Sequence, residues 1–529
     1  MAKELNINSI PKEKLVFANT GERLKDQKFD DKPIGYFKDA WRRFCKNKAS
    51  IVAAIIILMI VLFAVIFPFF DKGTGTEIDT YYHKKGPRNL LLSNIGIATG
   101  DTKKEQINVR TYIQEIAKGI GASSDFENIP TIGEALEKDD DLQPVTKLLK
   151  AEDVAQGKKV NTLYTAMVDE YLSVGFIYKQ ISQTDYAELL AWQKETGIQV
   201  LYPLIDTTAD CFDASDANWW YKSDDRGNPK KTNSSGNTVL ITYDDVNEVV
   251  LEDNYLRDEN GDFVFWEYAG GGDAETAEYN VRILYYNYYR YLHDKAEPEF
   301  IFGTDKTGYD LAYRIAIGLR LSLILSVCIF VINFILGAVY GAIEGYYGGN
   351  TDLIMEFVSY VLSGVPFMVT ATLFQLHLSN KVGAIPSLLF AFVLTGWIGT
   401  ASLVRTQFYR FKNQEYVMAA RTLGAKDARI MLKHIFPNTL GTIITSSVLA
   451  IPGVIFSESM LSYLGIIRLG GADSTSLGTL LSEASNIYTS VPHLMLFPAL
   501  FISLLEICFN LFGNGLRDAF NPSLRGTEE

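Results

Sequence analysis

Residues of a type and spacing that can do chemistry are few in this 529-residue chain. There is no His-Glu-x-x-His pattern, and His83 and His293 lie far apart in the sequence, so a peptidase has little to work with. Asp139–Asp141 and Asp244-Asp245 can attract calcium, but no EF-hand spacing surrounds them and solvated charge is the simpler reading. Cys45, Cys211, Cys328 and Cys508 are scattered, and Cys and His do not cluster as a structural zinc site requires. The expectation is no catalytic residue, no directly bound cofactor and no metal. Two features remain. Glu458 and Glu506 are stranded in apolar sequence, where a carboxylate is costly. Glu415–Gly441 reads EYVMAARTLGAKDARIMLKHIFPNTLG, and six Lys or Arg plus His434 fall between Arg410 and His434, with apolar runs on both sides.

The local pattern of that segment predicts an elbow. Glu415 to Leu423 suits a short helix with a slim Ala419-Ala420 face, and Gly424 can take the positive φ that ends it. Lys426 to Ile435 suits a second helix, which Pro437 is expected to halt, leaving Asn438-Thr439 to start the next apolar run. Such a knob suits the grip of another protein. A solvated loop held near anionic lipid by its charge fits the same pattern.

The elements around it are apolar stretches of about 20 residues, enough to cross roughly 30 Å of hydrocarbon as helix. The first is Ala49–Phe70, and the others are Leu321–Tyr340, Leu353–Phe374, Ala384–Val404, Thr442–Leu464 and Met495–Phe512. Six spans are therefore expected. A cleaved signal peptide does not fit the first, because polar sequence precedes it, its apolar run is too long and no small-residue cleavage site follows. Residues 1–48 hold twelve Lys and Arg, four of them at Arg42, Arg43, Lys46 and Lys48, which places the N-terminus inside. Six spans then return the C-terminus inside and put Arg410–His434 on the same side. Phe37, Trp41 and Phe44 recur at helical spacing, as in a basic amphipathic helix lying on the membrane or leading into the first span.

The net charge of −13 conceals a division. Asp71 to Asp310 carries 43 acids against 24 bases, and the remainder is positive, so the acidic excess belongs to one outward-facing region that does not suit nucleic acid. Only Cys211 lies in it, which leaves no disulfide within it. VTKLLKAEDVAQ and TDYAELLAWQKET read as helices, and NTVLITYDD and DENGDFVFWEYAG as strand and hairpin. Ser223–Asn237 reads as an exposed loop. A mixed α+β domain with Trp219, Trp220 and Trp266 in its core fits better than a linker. The run Tyr279–Leu292 is read either as an aromatic ligand surface or as a helix packing its rings into a core or membrane interface.

Several stretches together resemble the permeases of ABC importers. MAARTLGAKDARIMLKHIFP is similar to their EAA motif: Met418 stands at the motif's Glu, Ala419 and Ala420 are its alanines, and the spacing from Gly424 to Pro437 is kept. His434 at the usual Ile position is typical of the oligopeptide/dipeptide branch. Phe302–Leu323 is similar to the GTD-x-x-GRD segment, with Tyr309 at the common Arg. Gly345–Pro366 resembles the loop and third span, with Glu356 at a usual Arg. SESMLSYLGI (Ser457–Ile466) resembles E-x-x-LSFLGLG, with Leu477 where a Trp is usual. WRRFCKNK and NLFGNGLRDAFNPSLR resemble the family's two ends. The resemblance is to the C-type subunit of an oligopeptide/dipeptide importer. It does not cover 72–297.

The resemblance implies an all-α polytopic membrane protein of the type I ABC importer permease fold, with six spans and an inserted α+β extracellular domain. Its divisions are a cytoplasmic tail (1–48), the first span (49–70), the insertion (71–300), spans two to six (301–513) with the coupling loop at 409–437, and a cytoplasmic tail (514–529). It implies a bacterial cytoplasmic membrane, a B-type permease partner, two ATPases that carry ATP and Mg, and an extracellular peptide-binding lipoprotein. Coupling to an ATPase falls to Glu415, Tyr416, Met418, Ala419, Ala420, Gly424, Ala425, Lys426, His434 and Pro437. Glu458 and Ser459, with Pro366 and Pro452 kinking their helices, are candidates to line a peptide path. Alternatively, each carboxylate reaches water or a neighbouring helix. The insertion is read as a docking or gating module. A membrane-anchored peptide receptor with a non-transporting permease body is the competing function.

Overall fold

The computed structural model describes residues 36–70, 78–467 and 475–520, apart from 124, 139–141, 157–158, 233–234, 236, 241–242 and 272–276. The Asp139–Asp141 pair lies outside the described residues. Helix α1 (Tyr36–Phe44) leads into α2 (Lys48–Ile66), whose Asn47 cap accepts from the Ser50 amide. Trp41 is exposed, while Phe44 is buried edge-to-face on Phe512. The lead-in therefore packs on its own chain through one aromatic and offers the other outward.

The polar domain follows. A short α3 (Leu90–Ser93) precedes β1 (Asp101–Asn108), α4 (Val109–Gly121), α5 (Ile132–Glu137), β2 (Val145–Gln156) and β3 (Lys159–Asp169). Strand order β1-β3-β2 is antiparallel throughout. VTKLLKAEDVAQ is thus the strand β2 rather than a helix: pairing along nearly its whole length with β3 overrides its helix-forming Lys, Leu, Glu and Ala. β4 (Phe176–Ser182) leads to α6 (Gln183–Thr196), closed by a Ser182–Asp185 capping box and by Gly197 at φ +73°. β5 (Leu201–Tyr202), the β6 (Lys230–Thr232) and β7 (Thr238–Leu240) pair, β8 (Trp266–Gly270) and β9 (Glu278–Leu284) follow. Part of the expected 223–237 loop is therefore strand. β9 lies between β4 and β5 and also pairs with β8. The Tyr-rich run is β9 plus α7 (Tyr285–Leu292), and Tyr285, Tyr286 and Tyr289 are buried in a core with Tyr82, Tyr171 and Phe300. The packing reading holds.

A second core surrounds Trp220, whose Nε1 donates to the Ala117 carbonyl at 3.0 Å. Trp219 joins it, but Trp266 is exposed on the edge strand β8. On α4, Glu115 is held by Lys118 at 3.1 Å, Lys104 at 2.7 Å and the Ser173 hydroxyl at 2.7 Å. Burial alone would lift its carboxyl, but the two lysines and the hydrogen bonds outweigh it and hold it below the ordinary range.

Helix α8 (Leu311–Tyr347) then runs for 37 residues. α9 (Gly349–Ser363) and α10 (Phe367–Val382) form an apolar pair bent by 72° at Pro366. α11 (Ala384–Gly396) and α12 (Ile398–Phe411) make one long unit, and α13 (Glu415–Thr422) is the first arm of the elbow. α14 (Asp427–Arg429), a π-helical turn Ile430–Ile435, α15 (Phe436–Val448) and α16 (Ala450–Tyr463) form the second long unit. α17 (Leu477–Ala484) and α18 (His493–Phe520) complete the chain. Among the described residues, five helical units are long and apolar enough to cross a membrane, and the bent pair is a further candidate. Two expectations need correction. Pro437 does not halt its helix, because the π turn carries the Phe436 amide to the Met431 carbonyl and seats Pro437 in the first turn of α15, where no N–H is needed. The last helix also continues through residues expected to be tail, to Phe520.

Three glycines one turn apart set the closest contact between long helices. A Cβ on Gly337 would come 2.7 Å from the Trp397 carbonyl oxygen, one on Gly345 2.6 Å from that of Arg405, and one on Gly341 would overlap that of Ala401. Small residues at four-residue spacing let α8 and α12 meet backbone to backbone.

Candidate functional site

The elbow forms as its sequence dictates at the first corner. Gly424 has φ +81° and no neighbour at its Cβ position, so the backbone rather than crowding requires glycine there. Val417, Ile430 and Ile435 are buried in one cluster with Val404 and Phe408 of α12 and Ala338 and Tyr346 of α8, and Ala420 is buried as well. The Tyr346 hydroxyl donates to Asp427 Oδ1 at 2.6 Å, and Arg421 Nη2 donates to that hydroxyl at 3.2 Å. Both arms are thereby fixed to the end of one long helix.

The opposite face is uncovered. Leu423 is 88% exposed and Met418 52% exposed. Glu415, Tyr416, Ala419 and Lys426 are exposed beside them, Ala425 and His434 are half-buried, and Pro437 is exposed. Of the expected coupling residues, Ala420 alone is buried, as the inner member of the Ala-Ala pair. Met418, placed where the resemblance expects a carboxylate, makes this face more apolar.

A cation clamp that sequence reasoning missed secures the neighbouring helices. Arg405 on α12 binds Asp352 at 2.6 and 2.9 Å and Glu356 at 3.1 and 3.0 Å, and lies 3.4 Å from Glu344 of α8. The Tyr409 hydroxyl adds a 2.5 Å bond to Asp352. Glu356, at a position where the resemblance has an Arg, pairs with a residue 49 positions on, a partner that no linear pattern reveals.

Glu458 is 1% exposed. It accepts from Ser322 of α8 at 2.8 Å and Ser462 at 2.9 Å, with Ser459 at 3.5 Å and Ser476 also donating. Ser459 and Pro452 are buried too, whereas Pro366 is exposed at the bend. Glu458 and Ser459 therefore face their own chain, with α16 braced on α8 and the start of α17. Glu506 is half-buried.

The polar domain joins the long helices through Gly303–Asp310. Asp305 Oδ2 binds Arg314 of α8 at 3.0 Å, the Lys84 amide donates to the Asp305 carbonyl at 2.8 Å, and a Cβ on Gly308 would overlap the Asp79 carbonyl. His493, at the start of α18, has Nε2 3.4 Å from the Thr304 carbonyl oxygen. The domain also carries an open cleft of about 950 Å³ between Glu127–Lys138 and Val250–Asp253. Among the described residues, no three His, Cys, Asp or Glu side chains form a metal-binding group.

Long apolar helices joined at a basic, Gly-broken elbow define a multi-span membrane permease. The family model described as binding-protein-dependent transport system inner membrane component matches residues 333–526, and that of the N-terminal TM domain of oligopeptide transport permease C matches 35–87. The oligopeptide transport system permease protein OppC of Bacillus subtilis is 40% identical over 225 residues, covering 42% of this chain and 72% of that protein. The dipeptide transport system permease protein DppC of Lactococcus lactis is 34% identical over 266 residues, covering 50% and 73%. A chain of the MetNI methionine ABC transporter, in inward-facing form, overlaps 39% of this chain and 94% of its own at TM-score 0.33 and 12% identity. This chain belongs to the binding-protein-dependent ABC transport permeases, on the C-type branch. As such it is a transport component that works with a partner permease and ATPase subunits.

Proposed function

We propose that this chain is the C-type permease of an ATP-driven peptide importer and forms half of the translocation path with a B-type permease. The observation that carries the coupling role is the elbow itself. Its inner face is locked to α8 and α12, and its outer face presents Leu423, Met418 and Tyr416 for an ATPase that carries ATP and Mg. A rigid knob transmits displacement, and two bound ATPases closing together would move both permeases' knobs and turn the path outward. Peptide as cargo is supported by the names of the relatives.

The path lies between the two permeases. The bent α9–α10 pair with Pro366 is this chain's contribution to it, while Glu458, Ser459 and Pro452 brace α16 from behind. The bent pair counts as one crossing, which gives six spans, both termini cytoplasmic and 71–300 outside a bacterial cytoplasmic membrane. The basic residues before α2 and along the elbow support that orientation. There the polar domain receives the peptide-binding lipoprotein or covers the path entrance.

Co-purification with the partner permease and two ATPases, followed by ATP hydrolysis with and without peptide, tests this reading. Stimulation by peptide supports it. A complex that forms without stimulation, while the polar domain retains a ligand, would instead mark a receptor.

A further inference from the structure

An apolar groove of about 420 Å³ opens beside the elbow, between α8 and the π turn that leads into α15. On α8 it runs from Phe334 to Ile343, and Leu432 and Phe436 line the other wall. We infer that this groove holds one acyl chain of an anionic phospholipid from the leaflet on the elbow side. That leaflet is the cytoplasmic one on the topology proposed above.

Three observations select this occupant. The first is length. Phe334 to Ile343 spans nine helical steps, about 14 Å, and half of a roughly 30 Å hydrocarbon core is about 15 Å. The groove is one leaflet deep. The second is chemistry. Every residue that lines the groove is apolar, so it offers no hydrogen-bond partner to a polar occupant and suits a hydrocarbon chain. The third is charge. Arg429 and Lys433 are exposed, each next in sequence to a groove-lining residue, Ala428 and Leu432. They stand at the elbow end, where the headgroup of a lipid seated in the groove would lie, and cations there favour an anionic one.

The groove exists because of local chemistry. Ala338, Ala342 and Ala428 leave the space that larger residues would fill, between Phe334, Phe408 and Phe436. The π turn widens the helix at Ile430–Ile435 and turns Met431 and Leu432 towards α8. Val339 and Leu432 are exposed within the chain, at 57% and 67%, so the floor is open to an occupant.

The test is native mass spectrometry of the purified permease–ATPase assembly, stripped of lipid and titrated with phosphatidylglycerol or phosphatidylcholine. The expected result is one phosphatidylglycerol retained per copy of this chain, preferred over phosphatidylcholine roughly tenfold or more. Ala338→Leu with Ala342→Leu should abolish retention, and Arg429→Gln with Lys433→Gln should erase the preference. A benzophenone side chain placed at Val339 in the otherwise native assembly should crosslink to lipid, and this reading needs no groove-filling variant to fold. Equal binding of both lipids, retention unchanged in an assembled groove-filled variant, or a crosslink from position 339 to the partner permease would overturn the inference. Retention is measured without turnover, so an assembly that keeps the lipid but shows no peptide-stimulated hydrolysis would support the groove and count only against the transport reading.

Discussion

Tyr346 and Asp427 are 81 residues apart and share a 2.6 Å hydrogen bond that fastens the elbow to the last turn of α8. Arg421 donates to the same hydroxyl from the other arm, so a single phenol holds both sides of the Gly424 corner. The far end of α8 is fixed by Arg314 to Asp305 in the joint with the polar domain. Elbow, long helix and polar domain thus form one mechanical series about 54 Å along the helix.

Removing that phenol should loosen the elbow without unfolding the chain. Tyr346→Phe keeps the ring against Val417 and Ile430 but loses both hydrogen bonds, at a cost of about 1.5–3 kcal/mol because Asp427 is charged. Peptide-stimulated hydrolysis should fall severalfold while the assembly still co-purifies. Unchanged stimulation would show that the elbow does not need α8.

The corner itself is a backbone requirement. Gly424→Ala puts a Cβ at φ +81° and should cost about 1–2 kcal/mol, with partial loss of stimulation. Gly424→Pro cannot reach that φ and should abolish coupling while the protein remains in the membrane. A proline variant with wild-type stimulation would remove the elbow from the mechanism.

Close approach of α8 to α12 should be measurable as stability in detergent. Gly341→Ala forces a methyl into the Ala401 carbonyl and should lower the thermal midpoint by about 2–6 °C. Gly399→Ala, with no neighbour at the Cβ position, should shift it little. Equal effects would mean that the glycine spacing does not set the helix separation.

Acid should act on the polar domain through Glu115. Its folded value lies below the unfolded one, so its contribution is present above the unfolded value, about 4.3, and is lost as pH falls through the folded value. The thermal midpoint of Glu115→Gln should trail the wild type most at pH 7, with the difference narrowing below about pH 4.3. A difference that widens in acid would contradict the Lys104–Glu115–Lys118 cluster as the cause.

Much of the membrane portion was legible in sequence because hydrocarbon permits few solutions: long uncharged runs become helices, and Gly424 could be assigned from its neighbours alone. The ends of α8 were not legible, since Leu311–Leu319 and then Gly341, Glu344, Gly345 and Tyr346 are buried against other parts of the chain, and the polar and small residues among them weaken the apolar signal. Pro437 misled because a π turn six residues long absorbs it, and nothing in a linear pattern announces that turn. β2 was misread for the opposite reason, since its residues favour helix and only β3 makes it a strand. At the site, the first arm and the Gly424 corner followed from the elbow pattern, whereas the exposure of Met418 and Leu423 depends on which face packs against α8 and α12. The Arg405–Glu356 and Ser322–Glu458 bonds join residues 49 and 136 positions apart, which periodicity cannot connect.

The most direct measurement is uptake of labelled peptide into vesicles holding the reconstituted assembly with ATP at the ATPase side, for wild type and Gly424→Pro. The account predicts ATP-dependent accumulation by the wild type and none by the variant, at equal assembly. No accumulation by an intact wild-type complex, or equal accumulation by both, would contradict it.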